Sequence, residues 1–208
     1  MMNKGVLAVV SGFSGAGKGT LMKALLEQYD NYALSISATT RSPRPGEEDG
    51  RDYFFVSRER FEEMIEAGQL IEYAQYVKNY YGTPREYVTS QMEAGKDVIL
   101  EIEIQGALNI KRQFPQALLL FVMPPSAAEL RHRLTSRGTE TAEVIENRLK
   151  RALEEAEGIE NYDYILINDK VEECVRQMHQ LIRDHHSRTC NQEDFIKKMR
   201  TELQQINQ

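Results

Sequence analysis

The sequence predicts an α/β fold: a parallel sheet with helices on both faces, interrupted by a small inserted α+β subdomain and a short lid. Three observations predict it. Short β-rich runs alternate with helical ones along most of the 208 residues. The β-rich runs are continuously apolar, as strands buried on both faces are. The run SGFSGAGKGT, residues 11–20, sets a glycine-rich turn between an apolar strand and a helix.

The first unit is the strand GVLAVVS followed by a helix from Lys18 to Tyr29. Residues 37–90 then break the alternation with the loop TTRSPRPGEEDGRD, a short YFFV strand, a helix bearing Phe61, Met64 and Ile65, and the alternating strand LIEYAQYV. The stretch ends in NYYG and TPRE. There Thr83 as N-cap, Pro84 at the first helical position and Glu86 three residues on spell a capping box. Alternation resumes with DVILEIEI and QGALNIKRQF, with ALLLFVMPP and SAAELRHRLTSRG, and with YDYILIND and VEECVRQMHQLIRDHH. A second capping box, Ser126 with Glu129, opens the middle of these helices. On the helix from Val171, the residues Cys174, Val175, Met178, Leu181, Ile182 and His185 share one stripe, so they are expected in the core.

These segments divide one domain, residues 1–208, into a core (about 4–36, 91–136 and 149–190), an insertion (37–90), a lid (137–148) and a C-terminal helix (191–206). RGTET, residues 137–141, opens the lid and separates two helices carrying Arg131, Arg133, Arg137, Arg148 and Arg151. In the last helix Phe195, Met199, Leu203 and Ile206 recur at helical spacing with no strand after them. That helix is expected to pack on the body or on a second copy of the chain.

Composition narrows the partners. Hydrophobic residues make up 41% and charged ones 28%, the balance of a folded globular chain. A formal net charge of -6 argues against nucleic acid or a membrane surface as the partner, since binders of those carry a basic excess. An anionic substrate would need locally gathered arginines. Cys174 and Cys190 stand in no metal-binding spacing, and the apolar run Val6–Val10 is too short for a signal or membrane segment. Reduced thiols and a cytoplasmic location are expected.

The run at residues 11–20 nearly spells the phosphate-binding loop G-x-x-x-x-G-K-[ST]. Backbone N–H groups from Ser14 to Gly19 can point into one concavity at a helix N-terminus, and Lys18 can reach the outer phosphates. Gly19 stands where a metal-side hydroxyl is usual. Thr20 is the nearest substitute; otherwise Mg2+ is held through water by carboxylates and phosphates. The insertion offers Ser37, Arg41, Arg44, Arg51, Tyr53, Glu72, Tyr81 and Thr83. Arginine forks and tyrosine hydroxyls suit a phosphate monoester, and a carboxylate accepts from the paired N–H donors of guanine but not from adenine.

With these motifs in hand, the chain resembles the guanylate kinase family. SGFSGAGKGT, TTRSPRPGE with GRDYFF, IEYA, NYYGT, EIEIQGA and RGTET followed by NRL occur in that family's order, from about Gly5 to near Arg188. The resemblance implies a P-loop kinase core with an inserted GMP-binding subdomain and Mg2+-dependent transfer of the γ-phosphoryl group of ATP to GMP. It implies that the loop Gly12, Phe13, Ser14, Gly15, Ala16, Gly17, Lys18, Gly19 and Thr20 meets ATP, with Asn168 near the adenine. Arg41, Arg44, Tyr53 and Tyr81 would hold the GMP phosphate, and Ser37, Glu72, Thr83 and Glu101 would read the base. Lys18, Arg41, Arg133, Arg137 and Arg148 would close over the transfer. The family commonly has an aspartate where this chain has Glu103; that departure weakens a metal role for Glu103, whose longer arm would reach the ion only through water.

Two other readings use the same core: a peptide-binding module without transfer activity, and a kinase for AMP, CMP or UMP. Lys18 and the loop glycines argue against the first, and the acceptor residues against the second. His132, His179, His185 and His186 form no metal or triad spacing. Glu47, Glu48 and Asp49 read as a solvated loop face, and Arg131 and Arg151 as solvated or Glu-paired.

Overall fold

The computed structural model describes residues 4–76, 78–136 and 141–206. Its main sheet has five parallel strands in the order β2-β7-β1-β8-β9. These are β1 (Leu7–Gly12), β2 (Tyr32–Leu34), β7 (Asp97–Glu101), β8 (Leu118–Met123) and β9 (Tyr164–Ile167). Side chains of β1 alternate between two cores, as the pleat requires. Ala8 and Val10 pack with Leu21 and Leu25 of α1 (Lys18–Gln28) and with Val175, Met178 and Ile182 of α7 (Val171–His186). Leu7 and Val9 pack with Val88 of α3 (Arg85–Glu93) and with Ala107 and Ile110 of α4 (Ile104–Gln113). Each face of the sheet is thus covered by helices, and the fold class read from the sequence holds.

The insertion is a second sheet, order β4-β3-β6-β5, built from β3 (Ala38–Thr39), β4 (Phe54–Phe55), β5 (Leu70–Tyr76) and β6 (Asn79–Pro84). With α2 (Arg58–Glu66) it encloses its own small core of Ala38, Phe61, Met64 and Leu70. Ile71 of β5 leaves this sheet for the main core, where it is 1% exposed, and so ties the insertion to the body. The short strands β2 and β3 have no counterpart in the sequence reading, because two or three residues are too few to display a period.

Several expectations need correcting. Thr83 is not an N-cap: it lies in β6, Pro84 occupies the cap position with no side-chain bond, and the Thr83 hydroxyl turns elsewhere. Ser126 does accept from the N–H of Glu129 at 3.1 Å, but the Glu129 carboxylate takes Arg133 and does not close the box. The second of the two helices expected around RGTET is present, for α6 (Ala142–Ala156) starts at the N-cap Thr141 and packs on α5 (Ala127–Ser136) through Leu130, Leu134, Ile145 and Ala152. Arg137 lies outside the described residues. Of the two expectations for the apolar stripe of α8 (Glu193–Ile206), its exposure at Phe195, Met199, Leu203 and Ile206 fits packing on a second copy better than packing on the body. On α7 the expected stripe is in the core, His185 included, with its Nε2 2.7 Å from the carbonyl of Gln116.

Asp97, 3% exposed at the start of β7, gathers three segments. Its Oδ1 accepts from the Val6 N–H at 2.8 Å and lies 2.7 Å from His186 Nε2, while Oδ2 accepts from Asn31 Nδ2 at 3.0 Å. Replacing Asp97 by Ala leaves the buried N–H of Val6 unpaired, so a loss of about 1–3 kcal/mol is expected. Urea unfolding of Asp97→Ala against the parent protein measures it, and equal midpoints would mean that the knot contributes nothing.

Candidate active site

The turn after β1 exists because three glycines permit it. Gly12 has φ 154°, and a Cβ there would lie 2.1 Å from the carbonyl oxygen of Val122. Gly17, at φ 89°, caps α1, and a Cβ there would meet Asn168 Nδ2 at 2.6 Å. At Gly15 a Cβ would collide with Leu134. The carbonyl of Ala16 accepts from Asn168 Nδ2 at 2.8 Å and from Arg133 Nη1 at 3.5 Å, so two distant segments brace the loop from beneath. The N–H of Ala16 closes a turn onto Phe13 O at 3.0 Å, so it is not among the groups turned to the concavity.

Lys18 curls back along the loop, donating from Nζ to Gly12 O at 2.8 Å and Phe13 O at 3.4 Å. Burial lowers its pKa, and the carboxylates of Glu101, Glu155 and Glu103 oppose that shift. Gly19 has nothing within 4 Å of where a Cβ would stand. The missing hydroxyl is therefore not demanded by packing. Thr20 is exposed one residue on and shares a cavity of about 260 Å3 with Ser14, Lys18 and Glu101.

Beside it a larger cavity, about 530 Å3, is walled by Lys18, Glu101, Glu103 and one face of α6 from Val144 through Arg148 to Glu155. A third, about 360 Å3, is lined by Ser35, Ser37, Asp52, Tyr53, Thr83 and Glu101. Glu101, at the end of β7, borders all three and so marks their junction.

In the insertion, Arg41 grips Glu47 through both guanidinium nitrogens at 2.9 Å and donates to Ser42 O at 2.7 Å. Its guanidinium carbon stands 5.2 Å from the ring centre of Tyr53, whose ring meets that of Tyr81 edge-on at 6.1 Å. The Glu47 carboxylate raises the Arg41 pKa, and the guanidinium holds Glu47 below the usual carboxylate range. Glu47 also accepts from the N–H of Arg44 at 2.7 Å, so it is the organiser of this loop and not a solvated face. Arg44 itself is exposed, and Arg51 turns to Glu48 and Asp52.

The register of β5 against β6 slips by one residue between Leu70 and Tyr73, so Ile71 and Glu72 together face Thr83. That irregularity re-aims one side chain each way, as bulges do. Ile71 enters the main core, and Glu72 accepts the Thr83 hydroxyl at 2.7 Å through Oε1. Gly106 of α4 stands beside the other oxygen, where a Cβ would be 3.5 Å from Oε2.

Of the residues that the family resemblance assigns to GMP, Ser37, Tyr53, Thr83 and Glu101 line one cavity, whereas Arg41, Arg44, Glu72 and Tyr81 are not in its lining. Sequence reasoning did not anticipate Ser35, Asp52, Glu47, Arg151 or Glu155. Arg151 and Glu155 follow Arg148 by three and seven residues on one helix face, a spacing that could have found them.

The guanylate kinase family model matches residues 4–185 of this chain. The chain belongs to the guanylate kinase family. The guanylate kinase of Oceanobacillus iheyensis is 52% identical over 183 residues, covering 88% of this chain and 89% of that relative. That of Halalkalibacterium halodurans is 51% identical, covering 94% of each. Among solved structures, guanylate kinase from Anaplasma phagocytophilum superposes with a TM-score of 0.70 at 34% identity, over 91% of this chain and 90% of that one.

Burial raises the pKa of Glu72, and the hydrogen bond from Thr83 offsets the shift only in part. A carboxyl with a raised folded pKa adds stability below its unfolded pKa and loses it as pH rises through the folded value. Glu72→Gln retains an acceptor for Thr83 and removes the charge. The variant should therefore melt higher than the parent at neutral pH and converge with it on acidification below the ordinary carboxylate range. Thermal unfolding of both proteins from pH 4 to pH 8 tests this, and a parent that melts higher at pH 8 would contradict it.

Proposed function

We propose that this guanylate kinase transfers the γ-phosphoryl group of ATP to GMP, giving ADP and GDP. The observation that carries the reading is the junction at Glu101. A phosphate-loop cavity on one side meets a cavity lined by Ser37, Tyr53 and Thr83 on the other, with the Glu72 carboxylate behind Thr83. Two anionic nucleotides entering from the two sides would meet there.

The nucleophile is a phosphate oxygen of GMP, already anionic near neutral pH, so no protein base is required. Catalysis then rests on alignment and on spreading the charge of the transferred group. Lys18 and Arg148 face the cavity over the loop, and Arg41 with Tyr53 and Tyr81 lies on the acceptor side. Ser37, Glu72 and Thr83 would read the guanine edge, with Glu72 accepting from its paired N–H donors. Arg133 and Asn168 act through the loop, because both hold the carbonyl of Ala16.

Mg2+ suits the donor set at the loop. Thr20 and Glu101 share one small cavity and offer a hydroxyl and a carboxylate, which fits an ion that keeps several waters and takes its other oxygens from phosphates. When bound, Mg2+ would neutralise charge on the ATP phosphates. Glu103 is engaged by Arg151 at 2.6 Å, which leaves Thr20 and Glu101 as the stronger candidates. The reading puts the reaction in the cytoplasm; Cys174 and Cys190 are both free thiols.

Two kinetic outcomes are expected. Lys18→Met keeps the aliphatic stem and removes the ammonium, so kcat should fall by about two to three orders of magnitude, the scale for loss of a preorganised transition-state donor. Its melting temperature should stay near the parent's. Full turnover in that variant would end the phosphate-loop assignment. Glu72→Gln turns an amide NH2 toward guanine, so kcat/KM for GMP should drop about tenfold to a few hundredfold while the AMP value changes far less. Steady-state rates with both nucleotides at saturating ATP decide it, and equal proportional losses would show that Glu72 does not read the base.

A further inference from the structure

We propose that Arg151 is a positioning residue for the ATP phosphates, acting by neutralising Glu103 and Glu155 on the wall of the transfer cavity. The proposal rests on assigning that cavity to ATP. Among the described residues, six charged side chains line it: Lys18, Arg148 and Arg151 against Glu101, Glu103 and Glu155. A site for a polyanion can ill carry three carboxylates. Arg151 answers two of them at once, donating from Nη2 to Glu103 Oε1 at 2.6 Å and from Nε to Glu155 Oε1 at 3.1 Å.

Stability does not account for this arrangement. The side chains of Arg151 and Glu103 are 46% and 72% exposed, and an ion pair so exposed contributes little to folding. Glu155 is the opposite case, with its side chain 19% exposed and its Oε2 buried without a hydrogen-bond partner. Water therefore screens the Glu155 charge poorly, and that charge acts on Lys18 across the cavity. Without Arg151, three carboxylates would outnumber the two remaining cations among the described lining residues. An incoming triphosphate would then meet a net negative wall.

Helix geometry makes the answer local. Arg148, Arg151 and Glu155 lie at positions i, i+3 and i+7 of α6, on one face. Glu103 is the N-cap residue of α4, across the cavity from that helix. Arg151 thereby also holds the helix that carries Arg148 against the end of β7.

The test uses the full chain and three variants: Arg151→Met, Glu155→Gln and the double substitution. Calorimetry with the β,γ-methylene analogue of ATP gives affinity without turnover, and steady-state kinetics give KM for each substrate. Arg151→Met should weaken the analogue and raise KM for ATP by about tenfold, with KM for GMP changed much less. Glu155→Gln alone should bind the analogue at least as well as the parent. Added to Arg151→Met, it should restore most of the lost affinity, which a merely structural role for Arg151 would not allow. An unrestored double variant would overturn the proposal in favour of direct contact between Arg151 and the nucleotide, and an unchanged Arg151→Met would overturn it outright. Should Arg151→Met fail to fold, Arg151→Lys keeps the charge and must bind the analogue near the parent's affinity; a folded Arg151→Lys that binds tenfold worse refutes neutralisation. A parent protein that ignores the analogue would instead sink the ATP assignment itself.

Discussion

The site depends on a backbone that approaches other groups more closely than any side chain would permit. Gly12 lies against the carbonyl of Val122, and Gly17 against the amide of Asn168. From these contacts follow the direction in which β1 leaves the sheet, the start of α1, and the placement of Lys18 on the cavity wall. Asn168 converts the close approach into a tether, because its amide donates to Ala16 O from the end of β9. The loop is therefore held by two strands of the sheet, β8 and β9, that lie far from it in sequence. A phosphate cradle needs this rigidity, since donors that must first be ordered lose part of their effect.

Around that loop, charge is arranged at some cost. Glu72 is a carboxylate pushed out of water with a single hydroxyl donor, and Glu155 leaves one buried oxygen unpaired. Burial depresses the Lys18 pKa. None of these arrangements favours folding at neutral pH; Lys18 and Glu155 line one cavity, and Glu72 bonds to Thr83, which lines the next. Violations of local optimisation concentrated at one place are the mark of a working site. The Asp97 knot at the far end of β7 is the reverse: buried, with both carboxylate oxygens engaged, and remote from the loop.

The insertion adds a second constraint. A one-residue slip in β5 lets Ile71 anchor the subdomain in the main core while Glu72 turns to Thr83. Anchoring and recognition thus occupy neighbouring residues on one strand. Arg41 depends likewise on Glu47, which holds its guanidinium in a bidentate grip over the Tyr53 ring. The basic and acidic residues of that loop act as one unit, so charge alone does not describe it.

The sequence by itself determined the parallel α/β core, the glycine-rich turn after β1 and the family, because each is written in a local period or a short ordered motif. Val9 and Val10 diverge to opposite cores as alternation demands, and the glycines with Lys18 specify their turn. What tertiary structure alone decided lies in pairings between distant segments and in irregular backbone. Thr83 looked like a helix cap because T-P-R-E has that local form, yet the β5 slip gives its hydroxyl to Glu72 eleven positions away. Arg151 read as solvated or Glu-paired, but which glutamates it takes was decided only when α6 packed beside the end of β7 and brought Glu103, 48 positions back, within reach. Asn168 could not be seen as a brace for Ala16, 152 residues earlier, until the sheet set β9 and the loop side by side. Periodicity records which face a residue shows, but a partner is chosen only when the chain closes on itself.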